Sequence, residues 1–221
     1  MTASILIPVY NQADTLEETL KSALAQTVPC EIIVVNDGST DNTRFILDEY
    51  ADKVKVVTQT NRGLPSARNT GIMNATGDYV LPLDSDDVLE PNCVERLLQV
   101  AKDTGADVVA PSFRTFGLQE QNVMLQMRPT LDDFRQGNKV GYCALVRRSA
   151  LLDVGGYSPR MVWGFEDYAL WVNLLSRGKT LVTVPEYLWR YRTKEHSMIT
   201  VANQHAEELM NQIKFDNPKF A

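Results

Sequence analysis

Cysteine is scarce in this chain of 221 residues, which has only Cys30, Cys93 and Cys143. Their odd number and wide spacing match neither a metal-ligand pattern nor a paired disulfide framework, and a reducing cytoplasm suits them. Long apolar runs are also missing. No stretch approaches the roughly 20 apolar residues that a membrane-spanning helix needs. The first nine residues carry no basic region ahead of their short apolar run, so no signal peptide is expected. Basic residues are in deficit: the net charge of −6 argues against a nucleic-acid binder, which needs clustered cations against phosphates. Two glycine-rich nucleotide signatures are absent as well, GxGxxG after the first apolar run and GxxxxGK[ST] anywhere. An anionic ligand here would have to be neutralised by a divalent cation or by a few local arginines.

What is present is an ordinary globular composition, 44% hydrophobic and 23% charged, at a length that fits one large domain. Residues 4–9 read as a buried strand, because continuous β-branched residues suit a sheet covered on both faces. Asp14 and Glu17 resemble a capping box opening an amphipathic helix at 15–26, with Leu16, Leu20, Ala23 and Leu24 on its apolar side. Strands are expected at 31–36, 53–58 and 79–83, with helices around Phe45–Leu47 and from Pro65 to about Thr76 between them. Strand and helix alternating at this spacing predict βαβ units and an α/β fold with a mostly parallel sheet. Ligands in such sheets bind beyond the carboxyl ends of the strands. The polar clusters Tyr10-Asn11, Asp37-Gly38-Ser39, Asn61-Arg62-Gly63 and Asp84-Ser85-Asp86 all fall there, which points to one composite site.

Beyond residue 90 the pattern loosens. A helix after Pro91, a strand at 106–110, a strand at 141–147, a short helix at 149–154 and a helix from near Asp167 are expected. Two short strands, 181–184 and 187–192, and a final amphipathic helix carrying Ala206, Leu209, Met210 and Ile213 follow. Residues 112–127 read equally as a hairpin or a loop.

Asp84 and Asp86, one residue apart at a strand end, can face a common cation, and all-oxygen ligation favours Mg²⁺ or Mn²⁺. The competing reading makes residues 84–87 a solvated turn that caps the next helix. The series Pro8-Val9-Tyr10-Asn11, Val35 to Asp41, Asn61-Arg62-Gly63 with Ala67 to Gly71, and Asp84 to Asp87 resembles glycosyltransferase family 2. These are inverting, nucleotide-sugar-dependent enzymes of GT-A fold, a Rossmann-like sheet with a small antiparallel region on the acceptor side. The resemblance runs from Ser4 to about residue 105 and resumes at Trp163-Gly164-Phe165-Glu166-Asp167.

The resemblance implies a single GT-A domain over 1–221, with a nucleotide-sugar-binding half at 1–105 and an acceptor-binding, catalytic half at 106–221. It implies hexosyl or N-acetylhexosaminyl transfer from a UDP-sugar to a hydroxyl of a glycan, lipid-linked or protein acceptor, in polysaccharide synthesis. Pro8, Val9 and Tyr10 would line the base pocket and Asp37 would accept a uracil N–H, unless Asp37 is only a turn residue. Gly63 would let the backbone approach the nucleoside, and Arg68 would contact the nucleotide or lie on a helix surface. Asp84, Ser85 and Asp86 would hold the ribose, diphosphate and metal. Asp167 would be the catalytic base, with Glu166 orienting it or the acceptor. Trp163 and Gly164 would meet the acceptor sugar, although a core tryptophan is an equal reading. His196 would complete the metal shell, or else be a solvated loop histidine, and Arg192 would offer a charge to phosphate. The protein is expected in the cytoplasm, peripheral to the membrane only through its acceptor. Two rivals remain: a sugar nucleotidylyltransferase, which the lack of glycine and base at residues 8–13 opposes, and a binding module without turnover.

Overall fold

The computed structural model describes residues 1–126, 128–195 and 198–221. The elements in chain order are β1 (Ala3–Val9), α1 (Ala13–Leu24), β2 (Glu31–Asn36), α2 (Thr43–Glu49), β3 (Lys55–Thr58), α3 (Leu64–Asn74) and β4 (Tyr79–Pro82). Then come β5 (Val88–Leu89), α4 (Cys93–Thr104), β6 (Val108–Gly117), β7 (Asn122–Val123), α5 (Leu131–Phe134) and β8 (Leu145–Arg147). The chain closes with α6 (Arg148–Val154), α7 (Glu166–Ser176), β9 (Leu181–Thr193), α8 (Met198–Gln204) and α9 (Ala206–Asp216).

The strands form one sheet in the order β3-β2-β1-β4-β8-β6-β9-β5, with β7 paired to β6. The first four are parallel, β8 runs antiparallel to both β4 and β6, β9 is parallel to β6, and β5 is antiparallel to β9. The mostly parallel sheet with a small antiparallel region expected from the sequence is thus observed. Alternate residues of β1 serve opposite faces: Leu6 joins the core beneath α3, α6 and α7, while Ile5 and Ile7 join the core beneath α1 and α4. Covering both faces explains why β1 and β2 are apolar nearly throughout.

Three expectations are corrected in detail and one open choice is settled. The N-cap of α1 is Gln12, without a side-chain cap; the free N–H of Ala13 instead donates to Asp41 Oδ2 at 3.1 Å, so a neighbouring loop does the capping. A true capping box occurs at Thr130 and Asp133, opening α5. The two late strands are one, β9, whose register with β6 shifts at Pro111–Phe113 and so absorbs the interruption around Pro185. The strand expected at 141–147 shrinks to three residues. The ambiguous stretch after Ser112 proves to be a hairpin in part, Phe113 and Arg114 of β6 pairing with Val123 and Asn122.

Candidate active site

The carboxyl ends of β1, β2 and β4 open into one cavity of about 1110 Å³. Its wall includes Pro8 and Val9 at the end of β1 with Tyr10 just beyond, Asp37 after β2, Gly63 at the start of α3, and Asp84, Ser85 and Asp86 after β4. From the second half of the chain come Gly164, Phe165, Glu166 and Asp167 at the start of α7, together with Asn138, Arg192 and Lys194. Segments more than a hundred residues apart therefore share one space, as a crossover sheet requires of its strand ends.

Each loop is fixed before any ligand arrives. Buried Asp37 accepts from Gln59 Nε2 at 2.7 Å, from the Arg62 N–H at 3.0 Å and from the Gly63 N–H at 2.9 Å. Its carboxylate thus holds the 59–63 turn while still bordering the cavity, with one lone-pair site to spare. Gly63 precedes α3 at φ +82°, a conformation that L side chains rarely adopt, so backbone geometry is enough to require glycine. The 84–87 loop is tied on every side. Thr15 and Thr19 donate to the carbonyls of Ser85 and Asp87, the Asp84 N–H donates to Tyr142 Oη at 3.0 Å, and Tyr142 Oη in turn donates to Asp87. Asp87 Oδ1 also accepts from the backbone N–H of Arg192 at 2.7 Å.

Arg68, expected against the nucleotide or on a helix surface, lies elsewhere. It is fully buried under the cavity floor, 2.7 Å from Asp84 Oδ1 and 2.7 Å from Glu166 Oε1, with its guanidinium over the rings of Tyr142 and Tyr157. It joins the end of β4 to the start of α7. Glu166 is accordingly spent on Arg68 rather than on its neighbour Asp167.

The turn before α7 aims Asp167. Gly164 has φ +127°, and a Cβ there would come within 2.7 Å of Ala202 Cβ on α8; Phe165 follows in the left-handed region at φ +59°. Asp167 Oδ1 then accepts the Tyr168 N–H at 2.7 Å and Oδ2 accepts Asn138 Nδ2 at 3.0 Å. Burial, reinforced by the Glu166 charge, pushes its carboxyl up to about 7. Burial likewise pushes Asp84 up to about 6, against the pull of Arg68. A carboxylate poised near neutrality in a cavity is suited to take a proton. Asn138 escaped the sequence reading because it sits in a loop with no periodic signal, and only contact with Asp167 gives it meaning.

The remaining residues fall as follows. Trp163 is 43% exposed and stacks on His205 with ring centroids 4.6 Å apart, outside the cavity wall that Gly164 lines. His196 lies outside the described residues. Arg192 Nε donates to the Asp86 carbonyl at 2.7 Å, and its guanidinium also pairs with Glu18. Lys194 Nζ stands 2.8 Å from Asp86 Oδ2, a contact the sequence did not suggest.

Among the described residues, no group of three or more His, Cys, Asp or Glu side chains converges into a metal shell. Asp84 and Asp86 each give one oxygen to a protein cation and keep the other outside that pair. Hard oxygen donors of this kind fit Mg²⁺ or Mn²⁺, which commonly bind through one or two carboxylates plus substrate phosphates.

Comparison with known proteins agrees with this geometry. The sequence model described as Glycosyl transferase family 2 matches residues 4–155. The chain belongs to that family. GlyA of Streptococcus pneumoniae, a glycosyltransferase, is 38% identical over 121 residues, 53% of this chain and 17% of GlyA. EpsJ of Bacillus subtilis, described as an uncharacterized glycosyltransferase, is 40% identical over 114 residues, 50% of this chain and 33% of EpsJ. The chain therefore spans well under half the length of these curated family 2 relatives. Among solved structures, S. aureus TarS in complex with UDP-GlcNAc superposes with a TM-score of 0.82 at 20% identity, covering 98% of this chain and 66% of that one. The TarS complex with UDP gives 0.80 at 21%, covering 98% and 65%. At such identity the likeness establishes the GT-A fold.

Proposed function

We propose that this chain is an inverting glycosyltransferase that moves a hexosyl or N-acetylhexosaminyl group from a UDP-sugar to an acceptor hydroxyl in glycan or polysaccharide synthesis. The observation that carries the reading is the single cavity in which the β1, β2 and β4 ends meet the Asp167 carboxylate. In this reading residues 1–105 hold the donor and residues 106–221 supply the base and the acceptor surface. The uracil packs among Pro8, Val9 and Tyr10, with its N–H on Asp37, and the diphosphate lies toward Asp84, Ser85 and Asp86. UDP as the nucleotide is supported by the TarS complexes, whose titles name UDP and UDP-GlcNAc.

Asp167 accepts the proton of the acceptor hydroxyl as that oxygen forms its bond to the anomeric carbon. The bond from that carbon to the donor phosphate oxygen breaks on the opposite side, so configuration inverts and UDP departs with the electron pair. Asn138 and the Tyr168 N–H hold the base in place. Glu166 acts through Arg68, fixing α7 relative to Asp84. Asp84 and Asp86 would hold Mg²⁺ or Mn²⁺, which stabilises negative charge on the departing diphosphate when bound. No helix among the described residues is long and apolar enough to cross a membrane. We place the enzyme in the cytoplasm, meeting any membrane through its acceptor.

Calorimetric titration of UDP, with and without Mn²⁺, tests this on wild type and on Asp86→Ala. Binding that requires both the metal and Asp86 is expected. Equal binding of UDP to Asp86→Ala would remove Asp86 from the donor site.

A further inference from the structure

The 84–86 carboxylates are already neutralised by the chain's own cations, and the two cations differ in kind. Arg68 is sealed in the core and serves two acids at once, so it has nowhere to go. Lys194 is a third exposed, sits at the end of β9 on the cavity wall, and makes two contacts: Asp86 Oδ2 at 2.8 Å and Gln12 Oε1 at 3.0 Å. Its ammonium occupies one oxygen of a residue that a divalent ion would use. A lysine is a compact charge on a flexible four-carbon stem, free to swing within a cavity, where arginine is bound by its planar fork. Two cations compete for one carboxylate, and a dianionic diphosphate arriving beside them offers the loser a better partner.

We infer that Lys194 is a displaceable counter-ion: it neutralises Asp86 in the empty site, yields that carboxylate to the divalent metal, and moves its charge onto the donor diphosphate. The inference rests on the donor-site reading above. It adds a consequence that reading lacks, namely that metal alone binds poorly because it must first evict Lys194. The lysine thereby couples metal and nucleotide, each binding better when the other has arrived.

The test compares wild type, Lys194→Met and Lys194→Arg in two titrations, after circular dichroism confirms that all three are folded. In the first, Mn²⁺ alone is titrated and free ion is read by electron paramagnetic resonance. Lys194→Met is expected to bind Mn²⁺ about 3- to 10-fold more tightly, the scale of losing a partly exposed ion pair plus a like-charge neighbour. In the second, UDP is titrated at saturating Mn²⁺, and Lys194→Met is expected to bind about tenfold or more weakly, as for a lost charge-assisted hydrogen bond. Lys194→Arg should restore most of the UDP affinity. Unchanged Mn²⁺ affinity in Lys194→Met overturns the proposal. Tighter Mn²⁺ with unaltered UDP affinity leaves a static ion pair and overturns the transfer of charge. Should wild type bind no UDP while the Mn²⁺ arm shifts as expected, the nucleotide reading fails and the counter-ion role stands.

Discussion

Replacing Arg68 with methionine keeps a similar apolar stem and deletes the one charge that two acids share. Arg68 is fully buried, and its partners Asp84 and Glu166 have side chains 26% and 7% exposed. Breaking a buried ion pair by removing one partner typically costs about 3–5 kcal/mol, because the stranded charge has no solvent to turn to. Asp84 retains some water, so the lower half of that range applies, about 3 kcal/mol. For a chain of this length that corresponds to a fall of roughly 6–12 °C in Tm. The loss must also depend on pH. Burial already pushes the Asp84 carboxyl up to about 6 against the pull of Arg68. Without that pull it lies higher still, so the folded variant takes up a proton there more readily than wild type, and acid relieves it. The deficit should be largest near pH 8 and shrink as pH falls toward 5. Urea unfolding of both proteins at the two pH values reads this directly. Adding Glu166→Gln to the Arg68→Met variant should recover part of the deficit at pH 8. A deficit under about 1 kcal/mol, or one that does not change between pH 5 and 8, would refute the view of Arg68 as the counter-charge of a buried acid pair.

Two other substitutions test the same structure. Asp167→Asn should keep UDP affinity and abolish transfer, and in wild type kcat/KM should climb as pH rises through about 7, where Asp167 becomes charged. Because that carboxyl lies above its unfolded value, its ionisation costs stability, a cost absent below pH 4 and fully present above 7. The Asn variant should thus be about 1–3 kcal/mol more stable at pH 8 and gain nothing at pH 4, as thermal melts will show; a melting gain that is equal at both pH values would contradict the assignment. Gly77→Ala places a Cβ 2.7 Å from the Ser4 backbone nitrogen, so β1 or the turn must shift. A loss of about 1–3 kcal/mol by denaturant titration is expected, and none at all would mean that this turn moves freely.

Local chemistry made the first half of the fold readable. Apolar runs buried on both sides, each followed within two residues by Asn or Asp, identify β1, β2 and β4 and put Asp37 and Asp84 at or just beyond their tips. The same logic failed where register or distance decides. β8 has only three residues, too few for a pattern, and β9 is continuous because its pairing with β6 slips around Pro111. Arg68 read as a ligand contact or a surface residue because nothing near it in the chain announces Glu166, 98 positions away. Lys194 likewise meets Gln12 across 182 positions. Asp84, Asp86 and Asp167 stood out through the company they keep in the sequence, whereas their counter-ions and Asn138 acquire meaning only through folding.

The Arg68 bridge bears on how such a domain can be recombined. The Asp84 loop and the α7 start that carries Asp167 are held in mutual alignment by a guanidinium on α3, so three stretches of chain form one inheritable unit: α3, the 84–87 loop and the opening of α7. A chimera that takes α7 from one parent and α3 from another must match charge for charge in the core or forfeit the alignment. The 118–121 turn beyond β6 carries no such obligation and rests on strand ends through Thr115 and Thr193. Diversity in this scaffold can accumulate cheaply at that rim, while the buried arginine acts as the hinge pin around which the interchangeable parts must be cut.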